Sequence, residues 1–294
     1  MSAITVVPPG QGREGLPDVT SAQLRKAARA RQRREWIGLG LFVVGLIALL
    51  ALPSLVPLKP NRVDLDAILL RPSRTHLLGT DENGRDALAR LLVGARATLG
   101  IGVAATLVAV TLGALLGALA GYYGEVVDAV LMRAVDFALA FPSLFAILLF
   151  TSFVTVGPVQ LVLLIGLTGW MAVARLIRGN VRELLNAPYV EAARATGASG
   201  GRIILRHLLP NTGGVLFVAT LVQLNRSILA EATISFLGLG IQPPAPTWGN
   251  LLIGAQDFLY TAPWLAIAPG VAITLTLLTI YRLGMDRTRS SGMG

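Results

Sequence analysis

Runs of about 20 residues without a charge match the helical length needed to cross a bilayer core of roughly 30 Å, and few aqueous folds accommodate several of them. This chain has such runs at Ile37 to Leu58, Thr98 to Gly121, Phe137 to Val156, Val159 to Ala174 and Thr261 to Tyr281. A further apolar run, Thr212 to Leu229, is interrupted by Asn225 and Arg226. Only 14% of residues are charged, against about 25% in soluble domains. The pattern predicts an all-α integral membrane protein with six transmembrane helices. Ile37 to Leu58 is too long and too far from the start to be a signal-peptide core, so it reads as a retained first span. The predicted order is a polar basic tail over 1–36, the first span over 37–58 and an external loop over 59–97. A core with five spans follows over 98–284, then a tail over 285–294.

The basic residues orient this arrangement. Seventeen of the 25 Lys and Arg fall in the tails and in the segments predicted to share their side, and seven lie between Lys59 and Arg96. That bias puts both termini in the cytoplasm. The net charge of +9 comes from residues adjoining spans, where cations set topology and meet anionic lipid; nucleic acid is not an expected partner.

Several chemistries are excluded. There is no Cys, which removes disulfides, thiolate metal sites and Cys nucleophiles. The two lysines, Lys26 and Lys59, follow Arg25 and Leu58, so neither belongs to a phosphate-binding P-loop. His76 and His207 fall on opposite sides of the predicted membrane and cannot share a site. No catalytic residue, no metal site and no cofactor are assigned to the chain itself. An ion-driven transporter normally carries an acidic group near the midplane, and spans one, two, four and six have none.

Inside the predicted spans, Gly113, Gly117 and Gly121 place small residues on one face; they serve helix packing within the bundle or a dimer contact. Pro142 predicts a kink in the third span. Ile234 to Ile241 is expected at the outer interface, with Pro243 to Pro246 stiff and extended and Trp248 anchoring at the lipid headgroups. Asp81 and Asp86 flank Arg85 and either pair with it or form a solvated turn. His76 has no evident ligand neighbours. Arg226 snorkels or pairs with Glu231, or else lines a translocation path.

The predicted cytoplasmic loop, Arg175 to Pro210, holds the sequence Tyr189-Val-Glu-Ala-Ala-Arg-Ala-Thr-Gly-Ala-Ser199. Pro188 suits a first helical turn, Gly197 a left-handed stop, and Ser199 the cap of a second helix running to Pro210. Two helices this short cannot bury a core of their own. Ala192, Ala193 and Ala195 keep the first one slim, as a knob inserted into another protein's groove must be.

The spacing of Glu191, Ala192, Ala193, Gly197, Leu209 and Pro210 resembles the EAA loop of bacterial ABC-import permeases, whose coupling helices sit in a cleft of the ATPase subunit. His207 stands where the general pattern has an aliphatic residue, which is typical of the dipeptide/oligopeptide/nickel branch. Residues 72–86, with Gly79, Thr80, Asp81, Gly84, Arg85 and Asp86, resemble the segment before the second span in that branch's second, C-type permease. Residues 231–249, with Glu231, Ser235, Phe236, Leu237, Gly238, Gly240, Trp248 and Gly249, resemble its signature after the fifth span. The resemblance covers most of the chain from about 70 to 285. It implies the type I importer permease fold, with Tyr189, Glu191, Arg202, His207 and their neighbours in the ATPase-coupling loop. It further implies a sister permease, two ATP-binding cassette subunits carrying ATP and Mg, and an extracytoplasmic substrate-binding protein in a bacterial inner membrane. Di- or oligopeptides are the implied cargo, with nickel chelates or glutathione-like compounds as alternatives.

Overall fold

The computed structural model describes residues 58–291 except Thr155, together with Gly45, with side chains as far as Gly284. Of the first apolar run only Gly45, which is helical, and Leu58 are described; the rest of that predicted span and the basic tail lie outside the described residues. The main helices are α1 (Ala87–Tyr123), α2 (Glu125–Ala140), α3 (Ser143–Phe153) and α4 (Pro158–Leu184). After them come α5 (Pro188–Ala195), α6 (Gly200–Ile203), α7 (Leu209–Asn211), α8 (Gly213–Phe236) and α9 (Trp264–Ser291). Among the described residues four helices, α1, α4, α8 and α9 over Trp264–Gly284, are long and apolar enough to cross a membrane, and α2 with α3 make a fifth if taken as one bent span.

The glycine stripe fixes how the two longest spans meet. Gly113 lies against Trp170 and Val173, Gly117 against Ala174, and Gly121 against Arg178 and Val181. Both numbers rise together, so α1 and α4 run side by side in the same direction. Added Cβ atoms on this stripe would overlap the backbone of α4, so the glycines serve packing within the bundle. α8 runs the other way, with Gly102 of α1 meeting Ile228 and Ala118 clustering with Ala219.

Two parallel neighbours need a return crossing, and α2 with α3 supply it. The sequence predicted one kinked span over Phe137 to Val156; the structure has two helices bent by 73°. Phe141 is extended, at φ −97 and ψ 126, because a following proline disfavours the helical region. Pro142 is extended too, so the chain breaks here instead of merely kinking.

Other boundaries also move. α1 starts at Ala87, well before the expected Thr98, because the Asp86 side chain caps it by accepting from the Ala89 N–H. α4 continues past Ala174 to Leu184, and α8 extends to Phe236. Ile234 is fully buried within α8, and Ile241 joins Leu161 and Ile165 in one apolar cluster, so the two ends of the expected interfacial segment are core while Phe236, Leu237 and Gly238 between them are exposed.

Candidate functional site

At the end of the bundle where α1 and α4 finish, α5 follows α4 and packs beside the end of α1. Pro188 opens it in the first turn, and Gly197 follows it at φ +78, a backbone conformation that strongly favours glycine. Val190 and Ala193 point inward and join Val181, Ile203, Ile204 and Leu208 in one apolar cluster with α1 and α8. Tyr189, Glu191, Ala192 and Ala195 form the exposed face. The short helix is thus anchored by two residues and presents a narrow ridge that carries the Glu191 carboxylate. Arg194 lies over the Tyr122 ring at 5.5 Å, a cation–π contact tying α5 to the end of α1.

The second half of this loop departs from expectation. Ser199 occupies the cap position of α6 but makes no side-chain capping bond. After α6 the chain forms a π turn over Ile204–Leu208 and re-enters a helical turn at Leu209–Asn211, with Pro210 in its first turn. Pro210 therefore does not end the helix: a proline is tolerated in a first turn, where its N–H has no partner to lose. Thr212 then links straight into α8, its N–H donating to Leu208 O at 3.0 Å. Arg202 is exposed, His207 half-buried, and Leu209 packs against the apolar cluster.

An ion cluster braces the same end. Asp128 of α2 accepts from Arg178 through both carboxylate oxygens and from Arg182 at 2.6 Å. Farther along α2, Asp136 pairs with Arg175 at 2.5 Å. The i, i+4 spacing of Arg178 and Arg182 carried the signal for a shared partner, but their carboxylate lies some 50 residues away in the chain.

The two segments at the opposite end are folded into the protein. Thr80 is fully buried: its hydroxyl donates to Ala67 O at 2.5 Å and accepts from the Leu70 N–H at 2.8 Å. Asp81 accepts from Arg85 Nε at 2.8 Å and from the N–H groups of Asn83 and Arg85 at 2.9 Å, with Arg90 Nε at 3.4 Å. Asp86 does not share that pairing. It caps α1 and meets His76 Nδ1 at 2.8 Å, so His76 has a partner that the sequence did not reveal. Gly79 and Gly84 both have positive φ, and a Cβ on Gly79 would stand 2.6 Å from Leu70 O. Trp264 Nε1 donates to Thr80 O at 3.3 Å, which ties the segment to the start of α9.

Much of the 231–249 stretch is likewise packed into the protein. Glu231 is fully buried on α8 and accepts from Ser235 at 2.8 Å. Gly240 packs against Ser235 and Gly249 against the Ala232 backbone. Trp248, expected among lipid headgroups, is only 2% exposed. Its ring N–H donates to Leu91 O and its backbone N–H to Thr98, both at 3.0 Å, so its polar edge is satisfied inside the protein. The proline run is a turn, held by the Asn250 amide on Ile241 O at 3.0 Å and Ala245 O at 2.8 Å. Phe236, Leu237 and Gly238 are exposed, as are Gln242, Pro243, Pro244 and Ala245 at the proline turn.

Between the two ends a cavity of about 880 Å³, including its open mouth, lies where α2 breaks from α3. Phe141, Pro142 and Ser143 form one wall, Thr168 and Gly169 of α4 another, and Gln223 and Arg226 of α8 a third. Arg226 is exposed and Glu231 buried, and among the described residues no ion pair joins them, so the expected pairing is replaced by a cavity position. Sequence reasoning named Arg226 but missed Gln223 and Ser143, which carry no signal beyond being polar in apolar surroundings. No group of three or more acidic or histidine side chains able to hold a metal occurs among the described residues.

Residues 87–287 match the profile of the binding-protein-dependent transport system inner membrane component. A protein of Brucella suis biovar 1 named as a peptide permease is 38% identical over 274 residues, covering 92% of this chain and 91% of that protein. A glutathione transport system permease protein of Pectobacterium atrosepticum is 38% identical over 270 residues, covering 88% and 90%. A second Brucella suis protein, named as a peptide transport system permease, is 36% identical over 273 residues, covering 92% and 91%.

Proposed function

The chain belongs to the family of binding-protein-dependent transport system inner membrane components, and from that premise we propose that it is the second permease of an ATP-driven importer of di- or oligopeptides. As a multi-pass inner-membrane protein of this family it is a transport component and not an enzyme. The single observation that carries the finer reading is the geometry of α5. Two buried residues, Val190 and Ala193, root it in the bundle, while Tyr189, Glu191, Ala192 and Ala195 stand out as a slim ridge. Such a ridge suits a groove in a separate cytoplasmic ATPase, and the chain has no P-loop of its own.

In this reading the chain has six spans, including Ile37 to Leu58, with both termini cytoplasmic. It pairs with a sister permease, docks two ATP-binding cassette subunits that carry ATP and Mg, and receives cargo from an extracytoplasmic binding protein. ATP binding draws the ATPases together, α5 moves with them, and the permease pair turns from inward-open to outward-facing. The names of the relatives support peptides first and glutathione-like compounds next; nickel chelates follow from the sequence resemblance alone.

The test uses two substitutions on the exposed ridge, Glu191→Arg and Ala192→Trp. Both should leave membrane insertion and protein level unchanged while co-purification of the ATPase and peptide uptake fall together, by about tenfold or more for loss of a central contact. Wild-type ATPase recovery with both variants would refute docking through this ridge.

A further inference from the structure

Arg226 is in an unusual place for a cation. α8 spans Gly213–Phe236, so at a rise of 1.5 Å per residue Arg226 lies about 20 Å from one end and about 15 Å from the other. Neither end of the helix is within reach of its side chain, so the charge stays within the span's length. A charge at this depth persists where it faces a partner or a water-filled space. Arg226 faces the cavity at the helix break, and none of the residues lining that cavity is a carboxylate.

The remaining walls have the same polarity. α3 begins inside the cavity wall at Ser143 without a side-chain cap, so the N–H groups of its first turn lack an intrahelical acceptor and carry the positive end of the helix dipole. In a bilayer such groups need a partner, and irregular backbone is accommodated where it lines a cavity. Gln223 is only 4% exposed and also lines the cavity; one amide hydrogen bonds Ser227 Oγ at 3.3 Å, and the amide has a second to offer. Its room comes from Gly169, where any Cβ would overlap the Gln223 amide nitrogen.

We propose that Arg226, with Gln223 and the uncapped start of α3, forms an anion site on the translocation path that receives a carboxylate of the passing cargo. This rests on the import reading above. Arg226 contributes the charge, the α3 amides and the Gln223 amide contribute directional donors, and the open mouth lets the carboxylate leave again. Transport requires weak, reversible capture, and one cation in a wide cavity supplies that better than a closed cage.

The chain has no cysteine, so a single thiol reports the local potential without reference to any cargo. Ser143→Cys in the full importer, in native membranes, is treated with anionic sulfonatoethyl methanethiosulfonate or its cationic trimethylammonium counterpart. Modification of this chain is read by mass. The anionic reagent should react faster, and the anionic-to-cationic rate ratio should fall by about tenfold in Ser143→Cys/Arg226→Gln, the order expected for one unit charge nearby in a partly hydrated space. Arg226→Lys should keep the preference. An unreactive thiol, or a ratio indifferent to Arg226, overturns the proposal; the latter is what a counter-charge from a neighbouring subunit would give.

Uptake of radiolabelled trialanine is the second arm. Arg226→Gln should lower it about tenfold at an unchanged level of assembled complex, and Arg226→Lys should restore most of it, the order expected for losing one charge contact of roughly 1.4 kcal/mol; wild-type uptake by Arg226→Gln overturns the transport role. If the wild-type importer takes up no trialanine while the labelling ratio still follows Arg226, the anion site stands and the peptide reading fails.

Discussion

Gly117→Ala tests whether the α1–α4 seam holds the bundle together. An added Cβ would lie 3.0 Å from the carbonyl carbon of Ala174 and closer still to its oxygen. Backbone cannot rotate aside as a side chain can, so the helices must separate by on the order of 1 Å to restore ordinary contact. Overpacking of this kind costs about 1–3 kcal/mol, and alanine returns roughly 1 kcal/mol of helix propensity. The expected net loss is therefore up to about 2 kcal/mol, an up to roughly 30-fold shift in the folded-to-unfolded ratio. The control is Gly100→Ala on the same helix, where nothing lies within 4 Å of the new Cβ; it should be neutral or slightly stabilising. Reversible unfolding in mixed micelles with increasing dodecyl sulfate reads the difference. Equal stability of the two variants would refute the idea that close backbone approach, rather than glycine's presence alone, makes this seam.

Trp248→Phe keeps an aromatic ring but strands Leu91 O, and should cost about 1–2 kcal/mol in the same unfolding assay, whereas Trp248→Ala should cost about 3–5 kcal/mol. A headgroup anchor would show a small effect for both. Asp128→Asn should loosen α2 from α4 by about 1 kcal/mol, the modest scale reflecting partly exposed arginines. Its effect should be strongly non-additive with Arg178→Gln in a double-mutant cycle; additivity would dissolve the cluster as a unit. Asp86→Ala should cost about 1–2 kcal/mol through the lost helix cap and speed amide exchange over residues 87–90 relative to wild type. Unchanged exchange there would show that α1 does not depend on its cap.

Uncharged length was enough to read the main spans off the sequence, because lipid imposes it directly. It misplaced their ends wherever a charged residue found a local partner. Arg90 lies within α1 because it is buried beside Asp81 and reaches Pro60 O at 3.3 Å, and no hydropathy window registers that bond. Helix signals in the α5 region were readable as well, since Pro188 and Gly197 act through their own backbones. Trp248 was misread for the opposite reason. Its partners, Leu91 and Thr98, are distant in sequence, and its residue type alone pointed to headgroups. The same holds for His76 and Asp86, ten residues apart and brought together by the tight fold around Thr80. Pro142 marked where the third span is disturbed but not by how much, because the size of the bend depends on whether neighbouring helices close over the break or leave it open.

The direct passage from α7 through Thr212 into α8 has a mechanical consequence. No slack connects the loop end to Arg226: the intervening chain is one helix of about 20 Å. A tilt of about 10° imposed at the loop end swings the guanidinium by roughly 3–4 Å on such an arm. That stroke is comparable to the length of one hydrogen bond, so a small rotation there suffices to bring the cation up to a cargo group or withdraw it.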